Sequence, residues 1–295
     1  MTVLRSLLFA PGSHPRKVEK VFDAGADAVI LDLEDAVAFS EKEAVRTDVV
    51  AALQTPRVCL GYIRINALET DFGFDDLEIC TAPGVDGLIL PKVESPAELE
   101  KADWAMAAFE KRRGLAVGQV DLIPILETGR GIAAAREICS AAPARVRRIS
   151  FGAADYTRDM GMVWTPSEHA CEAARAELVL ASRIAGIEPP IDSVWARLDD
   201  ETGLITSSKR VMEMGFQGKF CIHPKQIAPV HAAFTPSAEE VAHARSVVEA
   251  FEQAEAAGSA SIQIDGQFVD YPVVASARRT LARAEAADST VEAST

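Results

Sequence analysis

The feature that most constrains this chain is a series of short, almost uninterrupted apolar runs set between helix-forming stretches. AVILDLE at 28–34, GLILPK at 87–92 and VDLIPILE at 120–127 are apolar at consecutive rather than alternating positions. Strands of that kind are buried on both faces, as a parallel sheet covered by helices requires. Candidate strands fall at 3–10, 28–33, 58–66, 87–91, 120–127, 148–152, 192–198 and 219–223. Helix candidates with alanine-rich or amphipathic spacing lie between them, at 40–53, 95–113, 130–141 and 168–185. Eight strands alternating with helices predict an α/β fold of the (β/α)8, or TIM, barrel kind. A doubly wound sheet is the alternative, but no GxGxxG follows the first strand. The barrel is expected to occupy 1–235. Residues 236–295 then form a C-terminal helical extension: a helix at 237–257, a linker at 258–261, the polar turn IDGQFVDYP, a helix at 273–286 and a frayed end at 288–295. A barrel closes without this extension, so it reads as a lid.

Composition excludes several functions. With 30 basic and 44 acidic residues the net charge is −14. Such a chain is repelled by phosphate backbones and anionic membranes, so neither nucleic acid nor a membrane is expected as its partner. The apolar stretch near the start is far too short for a signal peptide or a spanning helix. Cys59, Cys80, Cys139, Cys171 and Cys221 are scattered and include no CxxC pair. That argues against a disulfide framework or a cysteine zinc site, and the expectation is a soluble cytoplasmic protein with reduced thiols.

In such a barrel the reactive groups sit at the C-terminal ends of the strands. The polar residues there are Asp32, Glu34 and Asp35, then Arg64, Lys92, Glu127, Asp155 and His223. Glu127 and Asp155 would converge at the barrel mouth, where two carboxylates leave positions for water and substrate oxygens and suit Mg²⁺ or Mn²⁺. The alternative is that both cap the helices that follow. Asp35 reads either as an acceptor for metal-bound water or as an ordinary acid at a helix N-terminus. Arg64, between Ile63 and Ile65, needs an anionic partner. A structural carboxylate such as Glu34 would serve, but a bound carboxylate or oxyanion is favoured. The backbone N–H groups of Gly152, Ala153 and Ala154 suit a substrate carboxylate. Arg16, Lys17 and Lys20 cluster after the first strand and suggest phosphate binding, against the alternative of a solvated helix face. Lys92 is a conceivable Schiff-base lysine, although acids beside an arginine point to metal-dependent chemistry. His223, before Pro224, reads as a helix cap.

The stretches RSLLFAPGSHPRKVEK, AVILDLEDAV, YIRIN, LILPKVESP, LIPILETGRG, SFGAADYTRDMG, GFQGKFCIHPKQI and DGQFVDYPVV occur in this order over about residues 3–285. In this the chain resembles the citrate lyase β-subunit-like CoA-ester lyases of the HpcH/HpaI aldolase superfamily, which include malyl-CoA and citramalyl-CoA lyases. The resemblance implies Mg²⁺ held by Glu127 and Asp155, and substrate oxygens bound by Arg64. It implies coenzyme A contacts from the turn at Pro11 and Gly12 and from the Arg16–Lys20 region. It also implies that Asp270 is an acid/base residue on a lid exchanged between the subunits of a homotrimer or hexamer. The expected reaction is cleavage of a 3-hydroxy-dicarboxylic acyl-CoA to acetyl-CoA and a 2-oxo acid. Alternatives are the β-subunit of a citrate lyase complex, a metal-dependent pyruvate aldolase, and a CoA-binding regulatory protein.

Overall fold

The computed structural model describes residues 4–264 and 266–292, with side chains as far as Ala287. The chain divides into two compact units, Leu4–His231 and the segment from Ala232 onward.

The first unit is the expected barrel. Its strands are β1 (Ser6–Pro11), β2 (Ala28–Asp32), β3 (Leu60–Arg64), β4 (Gly87–Leu90), β5 (Asp121–Leu126), β6 (Ser150–Phe151), β7 (Ile191–Asp192) and β8 (Gly218–Cys221). Each pairs in parallel with the next, and β8 closes on β1. Leu7, Ile30, Tyr62, Ile89, Ile123, Ile125 and Phe220 belong to one buried cluster, while Leu31, Ile63, Leu88 and Leu122 are equally buried elsewhere. Burial on both faces is the physical reason that the strands are apolar at consecutive positions. The helices are α1 (Pro15–Val21), α2 (Lys42–Leu53), α3 (Gly73–Cys80), α4 (Pro96–Arg112), α5 (Gly129–Ala133), α6 (Ala135–Ser140), α7 (Ala153–Asp159), α8 (Glu172–Ala185), α9 (Glu201–Met214) and α10 (Ile227–Phe234). Register matters most at one place: Asp32 on β2 is paired with Arg64 on β3 at the C-terminal edge.

Three local expectations differ. The seventh strand, read as 192–198, is only Ile191–Asp192. Beyond it the chain is held by side chains instead of a ladder: the Trp195 indole N–H donates to the Asp200 carbonyl at 3.1 Å, and the Trp195 carbonyl accepts from Gln226 at 2.8 Å. The helix read as 130–141 is broken at Ala134, after two glycines, Gly129 and Gly131, that weaken its first turn. The helix read from 168 starts at Glu172, behind a 3₁₀ turn at His169–Cys171. Four fully buried charges explain why this corner is specified. Arg175 on α8 donates to Asp192 at 2.8 Å and to Glu168 at 2.9 Å, Lys219 on β8 pairs with Asp192, and Ser207 on α9 donates to Glu168 at 2.6 Å.

In the second unit, α11 (Ala238–Ala256) opens on a capping box between Ser237 and Glu240. The stretch read as a polar turn contains a hairpin, β9 (Ile262–Ile264) and β10 (Gln267–Val269), paired antiparallel. The last helix, α12 (Tyr271–Glu292), begins two residues before the expected 273 and passes through part of the segment read as frayed; residues 293–295 lie outside the described residues. Val247, Phe251, Val269 and Val274 form this unit's own core. All five cysteines are free, and among the described residues no helix is long and apolar enough to cross a membrane.

Removing one member of a buried ion network leaves its partners uncompensated. Arg175→Ala, which strips Glu168 and Asp192 of their shared cation, is expected to cost about 3–5 kcal/mol in urea unfolding. A loss below about 1 kcal/mol, the range of exposed pairs, would contradict a structural role for the network.

Candidate active site

A cavity of about 650 Å³ opens at the C-terminal ends of the barrel strands. Its apolar wall includes Phe9, Ile125, Phe151, Val194 and Phe220. Its polar lining comprises Asp32, Asp35, Arg64, Glu127, Asp155, Ser193 and His223, with Lys17 and Lys20 from α1.

Glu127 is the most constrained of these groups. It leaves β5 into the barrel mouth and is 2% exposed. The Lys92 amide donates to its Oε1 at 3.0 Å. Its Oε2 lies where a side chain at position 152 would stand, since a Cβ built on Gly152 would meet it at 2.1 Å. Burial, then the nearby Asp155 and Glu34 carboxylates, push Glu127 up to about 8. The capping alternative fails for Glu127, because Thr128 caps α5 by accepting from the Gly131 amide at 3.0 Å. Asp155 lies in the first turn of α7, whose cap residue is Gly152. Its Oδ1 has no hydrogen bond, only an ion pair with the exposed Arg158.

Arg64 is already paired. Its Nε and a terminal nitrogen donate to both oxygens of Asp32 at 2.7 and 2.6 Å, and Nη1 lies 3.1 Å from Glu34 Oε2. Two structural carboxylates, including the Glu34 that the sequence offered as one alternative, neutralise it, and the arginine also lines the cavity. Burial would loosen the Arg64 proton, but Asp32 first, then Glu34 and Glu127, hold it more tightly than usual. Burial would likewise raise Asp32, yet Arg64 and the amides of Glu34 and Ala36 hold it below the ordinary carboxylate value. Glu34 is pushed up by burial, against the pull of Arg64 and Lys92.

Several sequence expectations change. Asp35 is exposed at the cavity rim, whereas Glu34 is buried and paired with both Arg64 and Lys92. Two residues past Asp32, Glu34 reaches the same Arg64, while Asp35 lies on the cavity lining. The Ala153 amide is taken by Ser193 Oγ at 2.8 Å, so it does not serve a substrate carboxylate; Gly152 and Ala154 line the cavity. On α1, Lys17 joins Lys20 at the cavity, while Arg16 is exposed and absent from its lining. Pro11 lines the cavity. Gly12 instead borders a separate groove between α1 and α2, its amide on the Asp32 carbonyl at 2.9 Å. The Lys92 ammonium is paired with Glu34: burial would lower it, but Glu34 overrides that and raises it. His223 both caps the turn at Pro224–Gln226, accepting from the Lys225 amide at 3.1 Å, and lines the cavity. Asp270 belongs to the second unit, immediately ahead of α12.

Lys42 was missed. Its ammonium donates to the Leu33 and Glu34 carbonyls at 2.9 and 2.6 Å and to Asn66 Oδ1 at 2.7 Å, fixing the exit of β2. A basic residue ten positions past the end of β2 carries no sequence signal of that contact.

Among the described residues no group of three or more His, Cys, Asp or Glu side chains is gathered as a metal cage. Two mutually repelling carboxylates, one buried and one without a hydrogen bond at Oδ1, fit a divalent cation that takes its remaining ligands from water and substrate.

Known proteins resemble this chain over most of its length. A profile of the HpcH/HpaI aldolase/citrate lyase family matches residues 5–224. Citrate lyase subunit beta of Escherichia coli (strain K12) is 36% identical over 283 residues, covering 95% of this chain and 93% of that protein. The (3S)-malyl-CoA thioesterase of Cereibacter sphaeroides is 36% identical over 286 residues, covering 96% and 95%. Among solved structures, the CitE protein of Mycobacterium tuberculosis in complex with magnesium, acetoacetate and coenzyme A matches with a TM-score of 0.79 at 30% identity. That match spans 96% of this chain and 98% of CitE.

Gly152 supplies a direct check. In Gly152→Ala the new methyl would collide with Glu127 Oε2, so the carboxylate must turn away. Divalent-cation affinity, measured calorimetrically, should fall at least about tenfold, a cost of about 1.4 kcal/mol, with the circular-dichroism spectrum unchanged. Undiminished affinity would mean that Glu127 does not hold the cation.

Proposed function

Because the chain belongs to the HpcH/HpaI aldolase/citrate lyase family, we propose that it is an Mg²⁺-dependent carbon–carbon lyase acting on a 3-hydroxy-dicarboxylic acyl-CoA. Citramalyl-CoA or malyl-CoA would be cleaved to acetyl-CoA and pyruvate or glyoxylate. The observation that carries this reading is the buried Glu127 beside Asp155 and Arg64 at the barrel mouth, with Lys17 and Lys20 on the same cavity. The complex of the related CitE protein with magnesium, acetoacetate and coenzyme A supports it.

The reaction removes the proton of the 3-hydroxyl group. The electrons of the bond between the second and third carbons pass into a thioester enolate, and the third carbon becomes the carbonyl of the oxo acid. A proton delivered to the second carbon completes acetyl-CoA. Glu127 and Asp155 would hold Mg²⁺, which would supply a Lewis acid to the substrate hydroxyl. Arg64, clamped by Asp32, keeps further N–H donors on its terminal nitrogens for the oxygen on which negative charge develops. Its two carboxylate partners fix the guanidinium before substrate arrives, so little reorganisation is required. Lys17 and Lys20 offer point charges to the phosphates of coenzyme A. Asp270, on a lid exchanged between the subunits of a homotrimer or hexamer, protonates the enolate carbon.

The apolar wall of Phe9, Ile125, Phe151 and Val194 favours hydrogen or methyl on the third carbon over a carboxymethyl group, whose charge would need a further cation. A second reading, hydrolysis of the thioester, draws on the 36% identity to a malyl-CoA thioesterase.

The test is a cleavage assay on malyl-, citramalyl- and citryl-CoA with Mg²⁺, products identified by mass. Acetyl-CoA with glyoxylate or pyruvate is expected. Free coenzyme A and a hydroxy diacid, without acetyl-CoA, would establish the thioesterase instead, and turnover restricted to a citryl thioester would establish the citrate lyase reading. Arg64→Lys retains charge but loses the planar fork, and kcat should fall on the order of 10²-fold or more. A change confined to KM would place Arg64 in substrate binding alone.

A further inference from the structure

Lys92 holds a backbone conformation that side chains rarely adopt. Its φ is +55°, and among the described residues only Glu168 is another non-glycine residue with positive φ. The surroundings enforce this conformation. The next amide, that of Val93, donates to the Ile125 carbonyl on β5 at 3.2 Å, and the Val93 carbonyl is pressed so closely on Gly131 that a Cβ there would lie 2.5 Å away. A left-handed residue locked on its far side in this way is over-determined, which is how strain persists in a native fold.

Two contacts follow from that one conformation. The Lys92 amide points at Glu127 and donates to Oε1 at 3.0 Å. The Lys92 ammonium reaches the other way and closes on Glu34 Oε1, while Glu34 Oε2 lies 3.1 Å from Arg64. Main chain and side chain therefore serve different carboxylates, and glycine, which suits the conformation better, would supply only the first contact.

We propose that Lys92 is a positioning residue with two separable tasks: its left-handed backbone orients Glu127 for the cation, and its ammonium holds Glu34 against Arg64. This rests on the lyase reading only where turnover is measured. Neither task involves covalent bonding to substrate.

Four variants separate the tasks. Lys92→Gly keeps the backbone and loses the ammonium. Mg²⁺ affinity should stay within about threefold of wild type, while kcat falls at least about tenfold and KM changes less than about threefold. Lys92→Val disfavours the left-handed conformation, and Mg²⁺ affinity should fall at least about tenfold. Lys92→Arg keeps the charge and should retain kcat within about tenfold, which a Schiff-base lysine would not. Lys92→Ala differs from Lys92→Gly only in its dislike of positive φ, so the metal-free glycine variant should melt several degrees higher. That comparison needs neither substrate nor metal, and it stands if Lys92→Val does not fold or if the lyase reading is wrong. A higher melting temperature for the alanine variant, wild-type Mg²⁺ affinity in a folded Lys92→Val, or wild-type kcat in Lys92→Gly would each overturn the proposal. Inactivity of Lys92→Arg, together with borohydride trapping of an oxo acid as a secondary amine on wild-type Lys92, would replace the proposal with a nucleophile.

Discussion

Like charges crowded into the mouth of the barrel set the terms for the rest of the molecule. Asp32, Glu34 and Glu127 are buried there, and Asp155 stands beside Glu127. Against these four carboxylates the same region sets three paired cations, Arg64, Lys92 and the exposed Arg158, and the ion pairs of these three fall on Asp32, Glu34 and Asp155. Carboxylates taken out of water and placed near one another cannot all ionise unless positive charge is added. Glu127 bears the consequence and is pushed up to about 8, with burial as the first cause. A site short of positive charge in this way has a use for a divalent cation.

The fold supplies that crowding through register. Parallel strands bring Asp32 and Arg64 to the same level, and Gly152 leaves the space that the Glu127 carboxylate fills. Lys42 ties the exit of β2 to Asn66, which itself accepts support from Asp76: the Asn66 amide donates to Asp76 Oδ2 at 2.9 Å. The carboxylates are thus held by neighbours that are themselves fixed, as a site with small tolerance for misplacement requires.

Much of this was legible in the sequence. Strands β2, β4 and β5 announce themselves because burial on both faces leaves mostly apolar residues, and the barrel follows from their alternation with helices. Glu127, Asp155 and Arg64 were legible as polar residues ending apolar runs, and all three line one cavity. What escaped depends on direction in space. Glu34 and Asp35 follow the same strand, and nothing in their order shows that Glu34 is the buried acid paired with both Arg64 and Lys92. Ala153 looks free in sequence, but its amide meets Ser193, forty residues away in the chain. The seventh strand was overread because Trp195 and Gln226 hold that segment by side-chain bonds that imitate no periodic pattern.

The most direct measurement of this account is calorimetric titration of the protein with Mg²⁺ between pH 6 and 9, in buffers of different ionisation enthalpy. Glu127 sits above its ordinary value, so in the free protein it carries a proton below about 8 and must release it when the cation binds. About one proton per ion should be released near pH 7, declining toward zero above about pH 9, while apparent affinity rises about tenfold per pH unit and levels off near 8. Glu127→Gln should abolish the proton release. Mg²⁺ binding at pH 7 with no proton released, or with an affinity independent of pH from 6 to 9, would contradict a buried, proton-bearing Glu127 as the group on which the site is built.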